Sequence, residues 1–240
     1  MSREEKQSEI SSRDRSQLRL QQRRQKKMQG LSLTVIGAIV IVAALIIAVS
    51  GSNIIPAHSR DHPMAEGNMM GNPNAPVVMV DFSDFQCSHC RDFYRDTEPY
   101  IIENYIATGK VFFIYHSRGD TPGGDSGRAA QAAYCAGDQG KFWDMHDIIF
   151  TNFSATDNGG YSINRLTSMA KEIDLDVNIF EECLNGNKYS NQVDEDSALA
   201  NEKGVTGTPT FFINDQVIPG NASLDTFIQT IESELAKAGE

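Results

Sequence analysis

Four cysteines and one tryptophan are all that 240 residues hold of either type. Cys87 and Cys90 form one C-x-x-C, and no second C-x-x-C or histidine pair follows at ligand spacing, which argues against a closed zinc centre. The body of the chain is also short of positive charge. Residues 1–30 carry nine Lys and Arg against four Asp and Glu, a surplus of +5; with a total of −11, the other 210 residues carry −16. Phosphate binding needs the opposite sign, so a nucleic-acid role for the body is disfavoured. No internal repeat is visible.

Leu31 to Ser50 lacks charge altogether. At ~1.5 Å per residue it is long enough to cross a hydrocarbon core of ~30 Å. Nine basic residues precede it and none follows until Arg60, which places the N-terminus in the cytoplasm by the positive-inside rule. The expectation is an uncleaved signal-anchor, single-pass in the cell membrane, with the body outside the cytoplasm. The alternative is a cleaved signal peptide ending at Ala48-Val49-Ser50. The span holds no cysteine for a lipoprotein anchor. Both readings export the body.

The expected organisation is a basic cytoplasmic tail over 1–30, a transmembrane helix over 31–50, a linker over 51–74 with room for a short edge strand, and a domain over 75–240. Within the domain, Val77-Val78-Met79-Val80 reads as a buried strand, Arg91 to Ile106 as a helix, and Val111 to Tyr115 as a second buried strand. Together they make a βαβ unit with a parallel pair. A helical pattern then runs through Ser126–Ala136, Lys141–Asn152, Ser162–Glu172, Val177–Asn185 and Gln192–Lys203. Thr210–Ile213 and Gln216–Ile218 flank Asn214-Asp215, a hairpin signal, and Leu224–Lys237 closes as an amphipathic helix. The fold class is α/β, with an all-helical insertion over about 120–203.

A cysteine pair where a strand hands over to a helix describes a redox site. The helix N-terminus offers unpaired N–H groups and about half a positive charge, and His89 can add a donor or a charge. Such settings lower the first thiol to roughly pKa 3.5–7.5. Each unit is worth ~1.4 kcal/mol, or ~30 mV for a two-electron couple. Two or three units would make the disulfide more oxidising by roughly 60–90 mV. Cys87 is therefore read as the nucleophile and Cys90, one turn further in, as its buried partner. Asp81, the ionisable residue ending an apolar strand, is the candidate proton source for a departing Cys90. The rival readings are half of a zinc site, a structural disulfide, an exposed loop histidine at His89, and an ordinary strand-end carboxylate at Asp81. Trp143, Phe142 and Met145 read as insertion core, and His146 as a satisfied helix histidine.

Three motifs carry a resemblance. Asp81-Phe82-Ser83-Asp84-Phe85-Gln86-Cys87-Ser88-His89-Cys90, Ala133-Tyr134-Cys135-Ala136 followed by Lys141-Phe142-Trp143-Asp144-Met145-His146, and Gly204-Val205-Thr206-Gly207-Thr208-Pro209-Thr210-Phe211 are similar, in order and spacing, to the DsbA-like thiol:disulfide oxidoreductases. The resemblance covers about residues 69 to 238. It implies a thioredoxin-like fold with a helical insertion, a cis Pro209, and Thr208 against the active-site disulfide with its backbone pairing to substrate. It also implies an acid at Asp81. Ser88-His89 departs from the commoner Pro-His or Pro-Tyr.

Cys135 and Cys183 remain. In an exported domain a leftover pair reads as a structural disulfide, with free thiols and an electron shuttle to Cys87 as alternatives. The expected function is an oxidase that introduces disulfides into exported cysteine-containing proteins, without cofactor or metal. Reoxidation by a membrane quinone-linked partner is carried over from the resemblance. The rivals are a reductase or isomerase of exported disulfides, and a non-catalytic binding or chaperone module.

Overall fold

The structure, a computed structural model, describes residues 54–119, 124–156 and 159–239. The expected tail and membrane span, 1–30 and Leu31–Ser50, lie outside the described residues. Among those described, no helix is long and apolar enough to cross a membrane.

Among the described residues, five strands form one mixed sheet in the order β1-β3-β2-β4-β5. β2 (Val77–Ser83) starts after an Asx turn in which the Asn74 N–H donates to Asn72 Oδ1 at 2.9 Å. It lies parallel to β3 (Val111–Ser117), with Asp81 opposite Tyr115 and Ser83 opposite Ser117. The parallel pair needs a crossover, which two helices supply. α1 is Ser88–Asp96, and α2 (Glu98–Ile101) runs on into a π-helical turn over Ile102–Ile106. The single helix expected over Arg91–Ile106 is thus two. Pro99 has no N–H and its ring crowds the carbonyl four residues back, so the helix ends at Asp96 and restarts with Pro99 in the first turn of α2.

The short β1 (Met69–Met70) pairs antiparallel with β3 at the sheet edge. Gly71 follows at φ +95, where a Cβ would stand 2.5 Å from Val111 O; a side chain there meets both strain and backbone. The segment read as a linker is laid against the domain from residue 54. Ile54 and Ala57 pack on the core, and the Asn152 side chain brackets the Ile55 backbone with two bonds of 2.8 Å.

Among the described residues, five helices come between β3 and β4: α3 (Asp125–Gly137), α4 (Phe142–Thr151), α5 (Ile163–Glu172), α6 (Val177–Asn185) and α7 (Ser190–Glu202). Alanines at 129, 130, 132, 133 and 136 leave α3 almost wholly buried. Trp143, Phe142 and Met145 are core, and Trp143 Nε1 donates to Met69 O at 3.1 Å. Cys135 of α3 and Cys183 of α6 are joined by a disulfide, with Cα atoms 5.8 Å apart.

β4 (Thr210–Ile213) returns antiparallel to β2, and β5 (Gln216–Pro219) closes the hairpin. Asn214 turns it at φ 48, a region asparagine tolerates better than most residues. Its N–H and side-chain oxygen each bond Val78 at 2.9 Å, locking hairpin to β2. α8 (Leu224–Ala238) brings Phe227 against Phe93 and Phe211. On the opposite sheet face, Phe82, Ala200 and Val205 form a smaller cluster under α7.

Candidate active site

β2 carries its apolar alternation up to Asp81 and Ser83, and both side chains are buried. Ser83 Oγ donates to Asp81 Oδ1 at 2.6 Å. That one partner does not offset burial. Desolvation, with the nearby Cys87 charge adding to it, pushes the Asp81 carboxyl up to about 8. Asp84 then turns the chain: its Oδ1 accepts the Gln86 N–H at 2.7 Å, and its carbonyl accepts the Cys87 N–H at 3.0 Å. Phe85 plugs the core beside Tyr115 and Phe150, and Tyr161 holds the Phe85 carbonyl at 2.9 Å.

This turn sets Cys87 at the N-cap of α1 with extended backbone, φ −84 and ψ 122. Cys87 is partly exposed and Cys90 buried, both as free thiols. The Cys90 thiol is the largest influence on Cys87. With Thr208 and the Cys90 and His89 amides, it outweighs partial burial and lowers Cys87 to about 5. Burial and the adjacent Cys87 push Cys90 the other way, well above an ordinary thiol. The two sulfurs thus divide into one that ionises readily and one that holds its proton. The Asp84 N–H donates to Cys90 Sγ at 3.4 Å.

Thr208 and Pro209 lie across from the pair. The Cys87 S–H donates to Thr208 O at 3.3 Å, and the Thr208-Pro209 bond is cis. Cys87, Cys90, Asp81, Thr208 and Pro209 are therefore gathered at the ends of β2 and β4. The His89 side chain is exposed, and what reaches the Cys87 sulfur is its backbone N–H. Cys135 and Cys183 are bonded to each other within the insertion. Sequence reasoning passed over Ser83 and Asp84. Period-two alternation puts Ser83 on the face of Asp81, but nothing local marks Asp84 N–H as a partner of Cys90.

The chain matches the family model described as Thioredoxin over residues 64–233. Disulfide bond formation protein D of Bacillus subtilis is 30% identical over 173 residues, which cover 70% of this chain and 76% of that protein. The crystal structure of oxidised BdbD from Bacillus subtilis is similar with a TM-score of 0.65 at 30% identity, over 76% of this chain and 100% of that one. The crystal structure of alpha-DsbA1 from Wolbachia pipientis has a TM-score of 0.64 at 27% identity, over 74% of this chain and 94% of that one. A Na(+)/H(+) antiporter, NhaA 1 of Salinispora arenicola, is 30% identical over 178 residues, but the chain spans 25% of its length.

Proposed function

The chain belongs to the thioredoxin family, and from that premise we propose that it is an oxidase, which forms disulfides in exported proteins by exchange at Cys87–Cys90. It has the thioredoxin-like α/β fold with a helical insertion, and it is a DsbA-like protein-disulfide oxidoreductase.

The observation that carries the direction is the Cys87 thiol lowered to about 5. At pH 7 the ~2 units between 5 and 7 favour the reduced state by a ceiling of about 2.7 kcal/mol, or about 60 mV. Solvent screening at a half-exposed sulfur lowers that ceiling. A stabilised thiolate makes the disulfide the better electron acceptor.

In the forward reaction a substrate thiolate attacks Cys87 Sγ of the Cys87–Cys90 disulfide. The S–S bond breaks with its electron pair on Cys90 Sγ, which takes a proton from Asp81, protonated for much of the time at a carboxyl pushed up to about 8. The substrate's second thiolate then attacks its own sulfur in the mixed disulfide, and Cys87 leaves as the thiolate that the site already favours. The substrate has lost two electrons and the Cys87–Cys90 pair has gained them. Thr208 O, 3.3 Å from Cys87 Sγ, is placed to accept a backbone N–H of the bound substrate strand.

The place of work rests on the basic tail, the uncharged Leu31–Ser50 run and the second cysteine pair, which suits an oxidising compartment. On this reading the chain is anchored by that run with the domain outside, and a membrane quinone-linked partner takes the electrons. A reductase would need an external electron donor and a potential near thioredoxin's, about −270 mV. Equilibrating the protein with defined ratios of reduced and oxidised glutathione separates the two. A potential well above −200 mV, about that of glutaredoxins, supports the oxidase, and a value near thioredoxin's overturns it.

A further inference from the structure

Cys90 is the leaving group when a substrate thiolate opens the Cys87–Cys90 bond, and burial makes a charge on its sulfur costly. Until a proton arrives, the developing thiolate draws on fixed donors. The Asp84 N–H is one, 3.4 Å from Cys90 Sγ. A backbone dipole lowers the barrier most when it is already aimed at the atom where charge appears. Whatever aims this N–H therefore belongs to the chemistry.

β2 ends at Ser83, so strand pairing does not hold Asp84. The turn that follows is braced first from within: Asp84 Oδ1 accepts the Gln86 N–H at 2.7 Å, closing an Asx turn. It is braced again from outside, by two hydroxyls of the helical insertion. Ser126, in the first turn of α3, donates its Oγ–H to the same Asp84 Oδ1. Tyr161, just before α5, donates to the Phe85 carbonyl at 2.9 Å, and its oxygen accepts the Ser154 N–H at 3.0 Å. Ser126 and Tyr161 are both buried, where water competes little with such bonds. Ser126 also has little room to swing, since a Cβ on Gly119 would stand 3.1 Å from its Oγ. The partners lie 42 and 76 positions apart in the chain, so both bonds exist only with the insertion docked.

We infer that Ser126 and Tyr161 are positioning residues for thiol exchange: they fix the Asp84–Phe85 turn and so aim the Asp84 N–H at Cys90. As the S–S bond breaks, its electron pair passes to Cys90 Sγ. The Asp84 N–H bears part of that charge until the Asp81 proton neutralises it. In reverse, the same donor steadies Cys90 as the attacking thiolate. The insertion thus takes part in the reaction through two hydroxyls. This inference rests on exchange at Cys87–Cys90 and not on its direction.

The test uses the full chain and compares a rate with an equilibrium. The rate is that of Cys87–Cys90 reduction by dithiothreitol, followed by thiolate absorbance near 240 nm; the equilibrium is that with glutathione. Ser126→Ala and Tyr161→Phe should each slow reduction by about three- to fivefold, the loss expected for one hydrogen bond. The glutathione equilibrium should stay within about twofold, because the donor faces a full charge only between the two end states. In an Asp84→Ala background, Ser126→Ala should change the rate by less than about twofold, since its partner is gone. The same several-fold loss in that background overturns the route through Asp84. If Asp84→Ala does not fold, the rates and equilibria of the other two variants decide. Lowered stability with reduction at the wild-type rate makes the hydroxyls structural and overturns the inference. Failure of the oxidase reading shows separately, as a low potential shared by the parent protein and its variants, and leaves these rate ratios standing.

Discussion

Cys87 Sγ lies 3.3 Å from the carbonyl oxygen of Thr208, although 121 positions separate the two in the chain. β4 makes the meeting: it pairs with β2 with Asp81 opposite Phe211 and Phe82 opposite Thr210, which carries the Thr208-Pro209 corner to the mouth of α1. The Thr208 side chain, at the same corner, stabilises the thiolate as one of the groups that lower Cys87 to about 5. The thiolate absorbance of the reduced protein near 240 nm should therefore titrate around that pH. Thr208→Val keeps the backbone carbonyl but removes the side-chain hydrogen bond to the Cys87 sulfur, worth about 1 kcal/mol, and should raise the midpoint by about half to one unit. A wild-type midpoint near 8.5, the value of a free thiol, would remove the basis for an oxidising site.

Stability of the reduced protein should follow the same group. A thiol at about 5 in the folded state and about 8.5 in the unfolded chain binds fewer protons when folded between those values. Its stabilisation is fully present above about pH 8.5 and is lost as pH falls through about 5. The oxidised protein has no such thiolate. In denaturant melts, stability of the reduced form relative to the oxidised form should rise between pH 5 and 7 by about 1–2 kcal/mol, after allowing for screening at a half-exposed sulfur. A difference that stays flat across this window contradicts the assignment.

Much of this geometry was legible in the residues because it is local. The C-x-x-C after an apolar strand, the alternation Val111, Phe113, Tyr115, Ser117 and the Asn214-Asp215 turn each depend on neighbours within a few positions. The helix break was legible too, in Pro99, but apolar residues recur across it (Phe93, Tyr94, Ile101, Ile102, Tyr105 and Ile106 are all buried) and the period masks the stop. The bond from the Asp84 N–H to Cys90 depends on how β2 bends into α1, and the pairing of Arg60 with Glu98 and of His62 with Asp147 depends on how three segments dock. Neither is set by spacing. The backbone contribution of His89 was hidden for another reason: the sequence shows its side chain, while the site uses its N–H.

Asp81 should behave as a buried acid that costs the folded protein stability. Its carboxyl stands at about 8 when folded against about 3.9 in an unfolded chain, so the folded state binds more protons between those values. The sign is opposite to that of Cys87, and this contribution falls as pH rises from about 4 to 8. Asp81→Asn should raise stability at pH 7 by about 2–4 kcal/mol, with little gain at pH 4. The same variant should slow reduction of Cys87–Cys90 by substrate thiols and remove an inflection near pH 8 from the rate profile. Unchanged rates with raised stability would make Asp81 a burial defect with no part in proton transfer.

The second cysteine pair offers a separate handle. The Cys135–Cys183 bond closes a loop of 48 residues in sequence separation between α3 and α6, and in the chain-entropy model such a loop restricts the unfolded state by about 4 kcal/mol. Cys135 is fully buried and Cys183 nearly so, which leaves the bond poorly open to attack by substrate or by Cys87. Cys135→Ala with Cys183→Ala should therefore lower stability by about 2–5 kcal/mol, equally whether Cys87–Cys90 is oxidised or reduced. The Cys87 midpoint and the glutathione equilibrium of the active pair should stay where they were. A shuttle predicts another pattern: turnover with glutathione would fall while single-turnover oxidation of substrate would not, because reoxidation would have lost its relay. Stability loss with both redox measurements intact assigns the pair to the scaffold; loss of turnover alone assigns it to electron transfer.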